Sequence, residues 1–330
     1  MDIPTLKQIV SQLLHPTKGI LAADESTKTI AKRFTSIDIE SNPETNLAYR
    51  KMLFTTPGVE EFLSGVILYD ETIRQEIDGK SVCEYLASRG IIPGIKTDKG
   101  VVDLANFPGE KITEGLDGLS KRYEEYAQMG AKFAKWRAVI TIGEGIPTET
   151  CLDANGEVLA RYAAITQNRG LVPIIEPEIV RDGSHDLAKC AEVTAWTLKR
   201  VFQRVDAHQV ALAGLILKTN MATAGEDNPN QASSEEVAKA TLEMLLKSVP
   251  KELPGVVFLS GGQSPEDATA NLNAINKIGG PWQLSYSYAR ALQGEAMEIW
   301  AGKEENVPAA QKAFLERSQK VSLARQGKSS

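Results

Sequence analysis

Residues 213–220 read AGLILKTN. Leu215, Ile216 and Leu217 make a short apolar run of the kind that becomes a strand covered on both faces, and Lys218 stands at its end. An ammonium at the end of a buried strand is costly unless it is paired or put to use. The run therefore raises two linked questions: which sheet it belongs to, and what the lysine does there.

Similar runs recur along the chain: GILAAD (19–24), GVILYDE (65–71), IIPGIKTD (91–98), KFAKWRAVI (132–140), LVPIIEPEI (171–179), GVVFLSGG (255–262) and WQLSYSY (282–288). Each is bounded by Gly, Pro or polar residues, and several are continuously apolar, as parallel strands buried on both faces are. Between them, 119–131, 186–205, 234–249 and 264–276 carry apolar residues at helical spacing. The last opens with Ser264 as an N-cap, Pro265 at the first helical position and acidic residues in the first turn. Strands alternating with helices make βα units and a parallel sheet. Eight units in 330 residues predict one closed (β/α)8 TIM barrel, a single α/β domain over 1–330. The N-terminal MDIPTLKQIVSQLLHP reads as a short amphipathic helix and the last stretch as a helix with a polar end.

The formal net charge of −6 argues against an extended nucleic-acid footprint but leaves room for a small anionic substrate in a basic cleft. Cys83, Cys151 and Cys190 are scattered, with no CxxC pair, and read as reduced thiols in a reducing compartment. The N-terminus is not a signal peptide, and no apolar run approaches the roughly 18–20 residues of a membrane span. The expectation is a soluble cytoplasmic protein with no membrane insertion; an organelle protein freed of its transit peptide reads the same way.

Barrels of this kind keep their chemistry at the C-terminal ends of the strands. Read in order, those ends carry Asp24, with Glu25 and Ser26 next; Asp70 and Glu71; Lys96 and Asp98; Lys135 and Arg137; Glu176 and Glu178; Lys218; Ser260-Gly261-Gly262; and, after the eighth strand, Arg290. Strand side chains alternate faces, so Lys135 shares a face with Arg137, and Glu176 with Glu178. Any one of these charges could serve a structural ion pair, but together at one mouth they point to a catalytic site. A lysine amine attacks a carbonyl only when neutral, and a nearby positive charge favours the neutral form. Placed on neighbouring strands, Lys135 and Lys218 are expected to supply that to each other. The resulting protonated Schiff base is an electron sink that permits carbon–carbon cleavage without a metal, while carboxylates at the mouth move protons.

His15, His185 and His208 are dispersed and do not form the His–carboxylate cluster of a divalent-metal site, so no metal or other cofactor is expected. FLSGGQSPED is a Gly-containing turn leading into a helix N-terminus, where backbone N–H groups and the helix dipole favour an anion. Arg290 adds a bidentate partner. Lys96 and Arg33 stand elsewhere on the rim, so a substrate with a phosphate at each end accounts for both clusters.

KGILAADEST, GIKTDKG, GLDGLSKR, FAKWR, PIIEPEI, LILKTN, FLSGGQS and NLNAIN, in that order, resemble the class I (Schiff-base) fructose-bisphosphate aldolases. The resemblance implies reversible cleavage of fructose 1,6-bisphosphate to dihydroxyacetone phosphate and glyceraldehyde 3-phosphate, a lyase reaction of glycolysis. It implies that Lys218 forms the Schiff base and that Asp24 acts on the C4 hydroxyl. Lys135 matches the lysine beside the imine, and Arg137 an arginine of the rim. Glu176 matches the acid/base for carbinolamine chemistry, with Glu178 supporting the lysines electrostatically. Ser260, Gly261 and Gly262 with Arg290 match the site for the ketone-half phosphate. Ser26, Thr29 and Lys96, with Arg33 close by, match the opposite phosphate site. It also implies a homotetramer. Two features depart from the family pattern: Thr219 follows the lysine where animal enzymes have proline, and the sequence closes on RQGKSS without the family's terminal tyrosine. The residues leave open another Schiff-base aldolase or a transaldolase, and a barrel scaffold with a non-enzymatic binding role.

Overall fold

The computed structural model describes residues 2–329; Ser330, on which the question of a terminal tyrosine turns, lies outside them. Among the described residues eight parallel strands close into a barrel: β1 Gly19–Ala23, β2 Leu63–Leu68, β3 Ile92–Lys96, β4 Phe133–Ile140, β5 Val172–Ile179, β6 Ile216–Thr219, β7 Gly255–Phe258 and β8 Gln283–Tyr288. Each strand pairs with its neighbours in chain order, and β1 closes the ring against β8. Seven fall within the runs read from the sequence, and β2 overlaps its run but begins two residues earlier, at Leu63. Two, β6 and β7, are half the length of their runs. Leu212–Gly214 is a 3-10 turn ahead of β6, its carbonyls held by Gln167 Nε2, which donates to Ala211 at 2.8 Å and Gly214 at 3.1 Å. The run at 255–262 leaves the sheet at Phe258 because Gly261 and Gly262 take left-handed φ of 48° and 81°.

Two cores result from strand alternation. Outward residues such as Leu21, Val66, Leu217, Val256 and Tyr286 pack under the surrounding helices. Inward residues Ile20, Ile67, Phe133, Val172, Ile174, Ile216 and Val257 fill the barrel, joined from below by Leu6, Val10, Leu13 and Leu14. Those four come from the N-terminal helix Ile3–Leu13 and its C-cap, with Asp2 as N-cap, so this helix stoppers the N-terminal end. Glycines make room for the filling. A Cβ at Gly94 would lie 2.3 Å from the Phe133 ring, and one at Gly255 2.5 Å from Leu14 Cδ1. With the bottom packed in this way, the open end is the C-terminal one.

The helices read from sequence appear at Leu119–Gln128, Leu187–Ala207, Ser234–Ser248 and Pro265–Ile278; Ser264 Oγ accepts from Asp267 N at 3.0 Å, as an N-cap should. Helices at Thr27–Thr35, Pro43–Phe54, Val82–Ser88, Glu149–Asn168 and Arg290–Trp300 complete the ring, and Val307–Arg325 packs beside them. Two small antiparallel hairpins, pairing 76–77 with 80–81 and 101–103 with 111–113, were not foreseen. The three cysteines are free and buried. No helix among the described residues is long and apolar enough to cross a membrane.

Candidate active site

At the C-terminal mouth a cavity of about 290 Å³ is lined from the strand ends and the loops that follow them. Alternation puts the charged residues inside. Inward Phe133 sets Lys135 and Arg137 inward; inward Val172 and Ile174 set Glu176 and Glu178 inward; inward Ile216 does the same for Lys218.

Glu176 lies at the centre. Its Oε1 is 2.8 Å from Lys218 Nζ, and its Oε2 is 3.0 Å from Lys135 Nζ. Lys135 Nζ also meets Asp24 Oδ2 at 2.6 Å. The four side chains thus form one chain of alternating charge, Asp24–Lys135–Glu176–Lys218, with exposures of 9, 3, 3 and 4 %. Charges this far from water persist because each is neutralised by the next. Burial alone raises the Asp24 pKa, but Lys135 and Lys218 outweigh it and hold the carboxyl at about 2. Glu176 is likewise held down, by Lys135, Lys218 and Arg137 acting against burial.

Three sequence expectations need correcting. Lys135 and Lys218 are not on neighbouring strands: β5 stands between β4 and β6, and Glu176 fills the space. Nor is the Lys135 pKa lowered; burial pushes it down, but Asp24, Glu176 and Asp98 raise it above the usual lysine value. Lys135 is a fixed cation. Glu178 differs too, since its partner is the Arg137 guanidinium rather than a lysine.

The phosphate residues fall in two groups. On one side the turn after β7 brings Ser260, Gly261 and Gly262 to the cavity beside Arg290, which opens the helix after β8. The Gly-Gly turn brings backbone N–H groups to the cavity wall, and turns of this kind suit anions. On the other side Ser26 caps helix Thr27–Thr35, its Oγ 3.0 Å from Thr29 Oγ1. Arg33 pairs there with Glu25, and Lys96 with Asp98.

The residues given catalytic or substrate-binding roles from the sequence line this one cavity together with Glu25, and Ala22, Leu259, Ser287 and Ala289 join them; the strand-end acids Asp70, Glu71 and Asp98 do not line it. Ser287 is the addition of most consequence, because its buried hydroxyl has no hydrogen-bond partner. The signal was present in the alternation Leu284-Ser285-Tyr286-Ser287-Tyr288, which sends small polar residues inward. Support comes from behind. Asn220 Oδ1 accepts from Ile179 N at 3.0 Å and Nδ2 donates to Thr194 Oγ1 at 3.1 Å, tying the end of β6 to β5. Buried Arg50 donates to the Glu25 carbonyl at 2.9 Å and pairs with Glu71 at 3.3 Å, joining the ends of β1 and β2. The histidines lie apart from this constellation: His15 follows the N-terminal helix, His208 pairs with Glu157, and His185 sits in the loop after β5.

A family model described as fructose-bisphosphate aldolase class-I matches residues 5–330. The chain is 51 % identical over 331 residues to a probable fructose-bisphosphate aldolase class 1 of Xanthomonas axonopodis pv. citri, covering 99 % of each chain. It is 52 % identical to cytosolic fructose-bisphosphate aldolase 5 of Arabidopsis thaliana, covering 99 % of this chain and 90 % of that one. Its fold superposes with a TM-score of 0.98 and 46 % identity on the Plasmodium falciparum fructose-bisphosphate aldolase solved with TRAP and a small-molecule inhibitor, covering 99 % and 96 % of the two chains.

The chain belongs to the class I fructose-bisphosphate aldolase family. This aldolase is a carbon–carbon lyase of glycolysis that works without a metal, through a lysine Schiff base. Membership decides against the transaldolase and pure-scaffold readings that the residues alone left open.

Proposed function

We propose that Lys218 is the residue that forms the Schiff base with C2 of fructose 1,6-bisphosphate, and that Glu176 and Asp24 move the protons. The observation that carries this assignment is the Lys218–Glu176 contact at 2.8 Å, with Lys135 fixed on the far side of the same carboxylate. Glu176 takes a proton from the Lys218 ammonium, and the neutral amine adds to the C2 carbonyl. Glu176 then returns that proton to the carbinolamine hydroxyl, which leaves as water and gives the iminium. Asp24 removes the C4 hydroxyl proton; the C3–C4 bond breaks, its electrons pass to the iminium, and glyceraldehyde 3-phosphate departs. The enamine takes a proton at C3, and hydrolysis of the iminium releases dihydroxyacetone phosphate and free Lys218. Lys135, cationic throughout, keeps Asp24 ionised and ready to accept a proton.

The ketone-half phosphate binds at Ser260, Gly261, Gly262 and Arg290, and the opposite phosphate at Ser26, Thr29, Lys96 and Arg33. At the first site the closed Gly-Gly turn and Arg290 both line the cavity. At the second, Lys96 and Arg33 must exchange Asp98 and Glu25 for the ligand. Arg137, paired with Glu178, lines the wall between the sites. We place the enzyme in the cytosol, with plant cytosolic relatives in support, and take it to be a homotetramer by resemblance to the family; light scattering tests the latter.

The assignment is tested by reducing the mixture of enzyme and dihydroxyacetone phosphate with borohydride and mapping the modified peptide. The adduct is expected on Lys218, and an adduct on Lys135 or Lys96 instead defeats the proposal.

A further inference from the structure

The reaction described above makes no use of Arg181, yet this half-buried side chain reaches from its own loop to two others at the mouth. Its Nε donates to the Ala224 carbonyl at 3.1 Å and its Nη2 to Gln231 Oε1 at 2.7 Å, both in the loop after β6. Its Nη1 reaches the Gly262 carbonyl at 3.5 Å, in the turn after β7. Its own loop, after β5, is already bound to the loop after β6: the amides of Gly225, Glu226 and Asp227 donate to the carbonyls of His185, Arg181 and Gly183 at 2.8, 2.8 and 3.1 Å. The two chains run so close there that a Cβ at Gly225 would sit 2.0 Å from the Gly183 oxygen. Arg181 carries this rigid pair of loops onto the Gly-Gly turn.

The turn needs such a partner. Two adjacent glycines have the widest choice of backbone conformation, and anion binding requires one of those conformations. Gln263 N closes the turn onto the Ser260 carbonyl at 2.9 Å, which ties down the N–H edge of the Gly262–Gln263 peptide plane but not its carbonyl edge. A guanidinium on the Gly262 carbonyl restrains that plane. All three Arg181 acceptors are neutral, so the group also brings positive charge to the anion-binding side of the cavity.

We infer that Arg181 is a positioning residue that holds the Ser260–Gly262 turn in its anion-binding conformation and thereby sets affinity for the ketone-half phosphate. The inference rests on the proposal that this turn takes that phosphate. Arg181 does not touch the reacting carbons, so its effect falls on binding of phosphorylated ligands rather than on imine chemistry. The contact to Gly262 is long, which keeps the expected effect to several-fold.

The test compares Arg181→Ala and Arg181→Lys with the parent enzyme. Loss of one restraining bond predicts a rise in KM for fructose 1,6-bisphosphate of about three- to tenfold, with kcat within about twofold. Borohydride trapping by dihydroxyacetone, which lacks the phosphate, stays at the parent rate, while trapping by dihydroxyacetone phosphate needs a higher concentration. Lysine keeps the charge but cannot span three loops, so it restores less than half of the lost affinity. An unchanged KM overturns the inference. So does equal loss with the phosphorylated and unphosphorylated ketones, or full rescue by lysine, which would reduce Arg181 to a charge. Ser260→Ala, measured in parallel, separates the two levels. If it leaves the preference for the phosphorylated ketone intact, the phosphate reading of the turn is at fault; if it erodes that preference and Arg181→Ala does not, only the role of Arg181 fails.

Discussion

Replacing Lys135 by methionine keeps the side-chain length and removes the charge between Asp24 and Glu176. Asp24 is held at about 2 against an ordinary 3.8, largely by Lys135 acting against burial. That shift corresponds to about 2 kcal/mol of preference for the ionised folded form. The sign follows from its direction: a depressed carboxylate stabilises the fold above pH 3.8, and that contribution is lost as pH falls through about 2. Removing one partner from a buried ion cluster costs about 3–5 kcal/mol, and the lower end applies because Lys218 still holds Glu176 at 2.8 Å. About 3 kcal/mol in a chain of this length lowers Tm by about 4 °C. The loss is greatest near neutral pH and shrinks as acid protonates the stranded carboxylates. Without the fixed cation Asp24 is a poorer anion and the site poorer at proton transfer, so kcat falls at least about 100-fold. Calorimetry at pH 5 and pH 8 and a coupled cleavage assay measure both. A variant that melts within 1 °C of the parent and turns over at more than a tenth of its kcat refutes the cluster as the source of stability and chemistry alike.

Three other substitutions probe different parts of the site. Asp24→Asn is expected to cut fructose 1,6-bisphosphate cleavage by about 10²- to 10⁴-fold while borohydride still traps dihydroxyacetone phosphate on Lys218; loss of trapping along with cleavage contradicts the separate roles. Gly261→Val forces a β-branched side chain into a φ of 48°, with a Cβ 2.8 Å from Leu259 Cδ1, so the KM for fructose 1,6-bisphosphate should rise at least about tenfold, and an unaltered KM means the turn does not bind phosphate. Arg50→Met removes the buried guanidinium that holds the Glu25 carbonyl and Glu71 and should destabilise by about 2–4 kcal/mol in thermal melts; an unaffected melting curve shows that the ends of β1 and β2 are held by other contacts.

How much of this was legible in the sequence depends on how local each signal was. The eight strands were visible because burial on both faces demands continuous apolar runs, and the helix at Pro265–Ile278 because its Ser264-Pro265 cap is spelled out in adjacent residues. Helix Glu149–Asn168 was hidden because its interior holds Asn155-Gly156, a pair that ordinarily marks a turn. The helix persists because Asn155 Nδ2 donates to the Lys111 carbonyl at 2.9 Å, a partner 44 residues away. The hairpins were missed for a simpler reason: strands of two or three residues are too short for a period to show. Within the site, alternation alone put Lys135 with Arg137 and Glu176 with Glu178, so which side chains face the cavity could be read directly.

What the chain by itself determined was the barrel, the inward set of charged residues and the glycine turn after β7, because each follows from periodicity or from one residue's local conformational freedom. Only the closed tertiary structure decided who pairs with whom. Charges interact according to distance in space, and closing the barrel put Glu176 between two lysines that lie 83 positions apart in sequence, gave Glu178 to Arg137, and laid Arg181 across three loops.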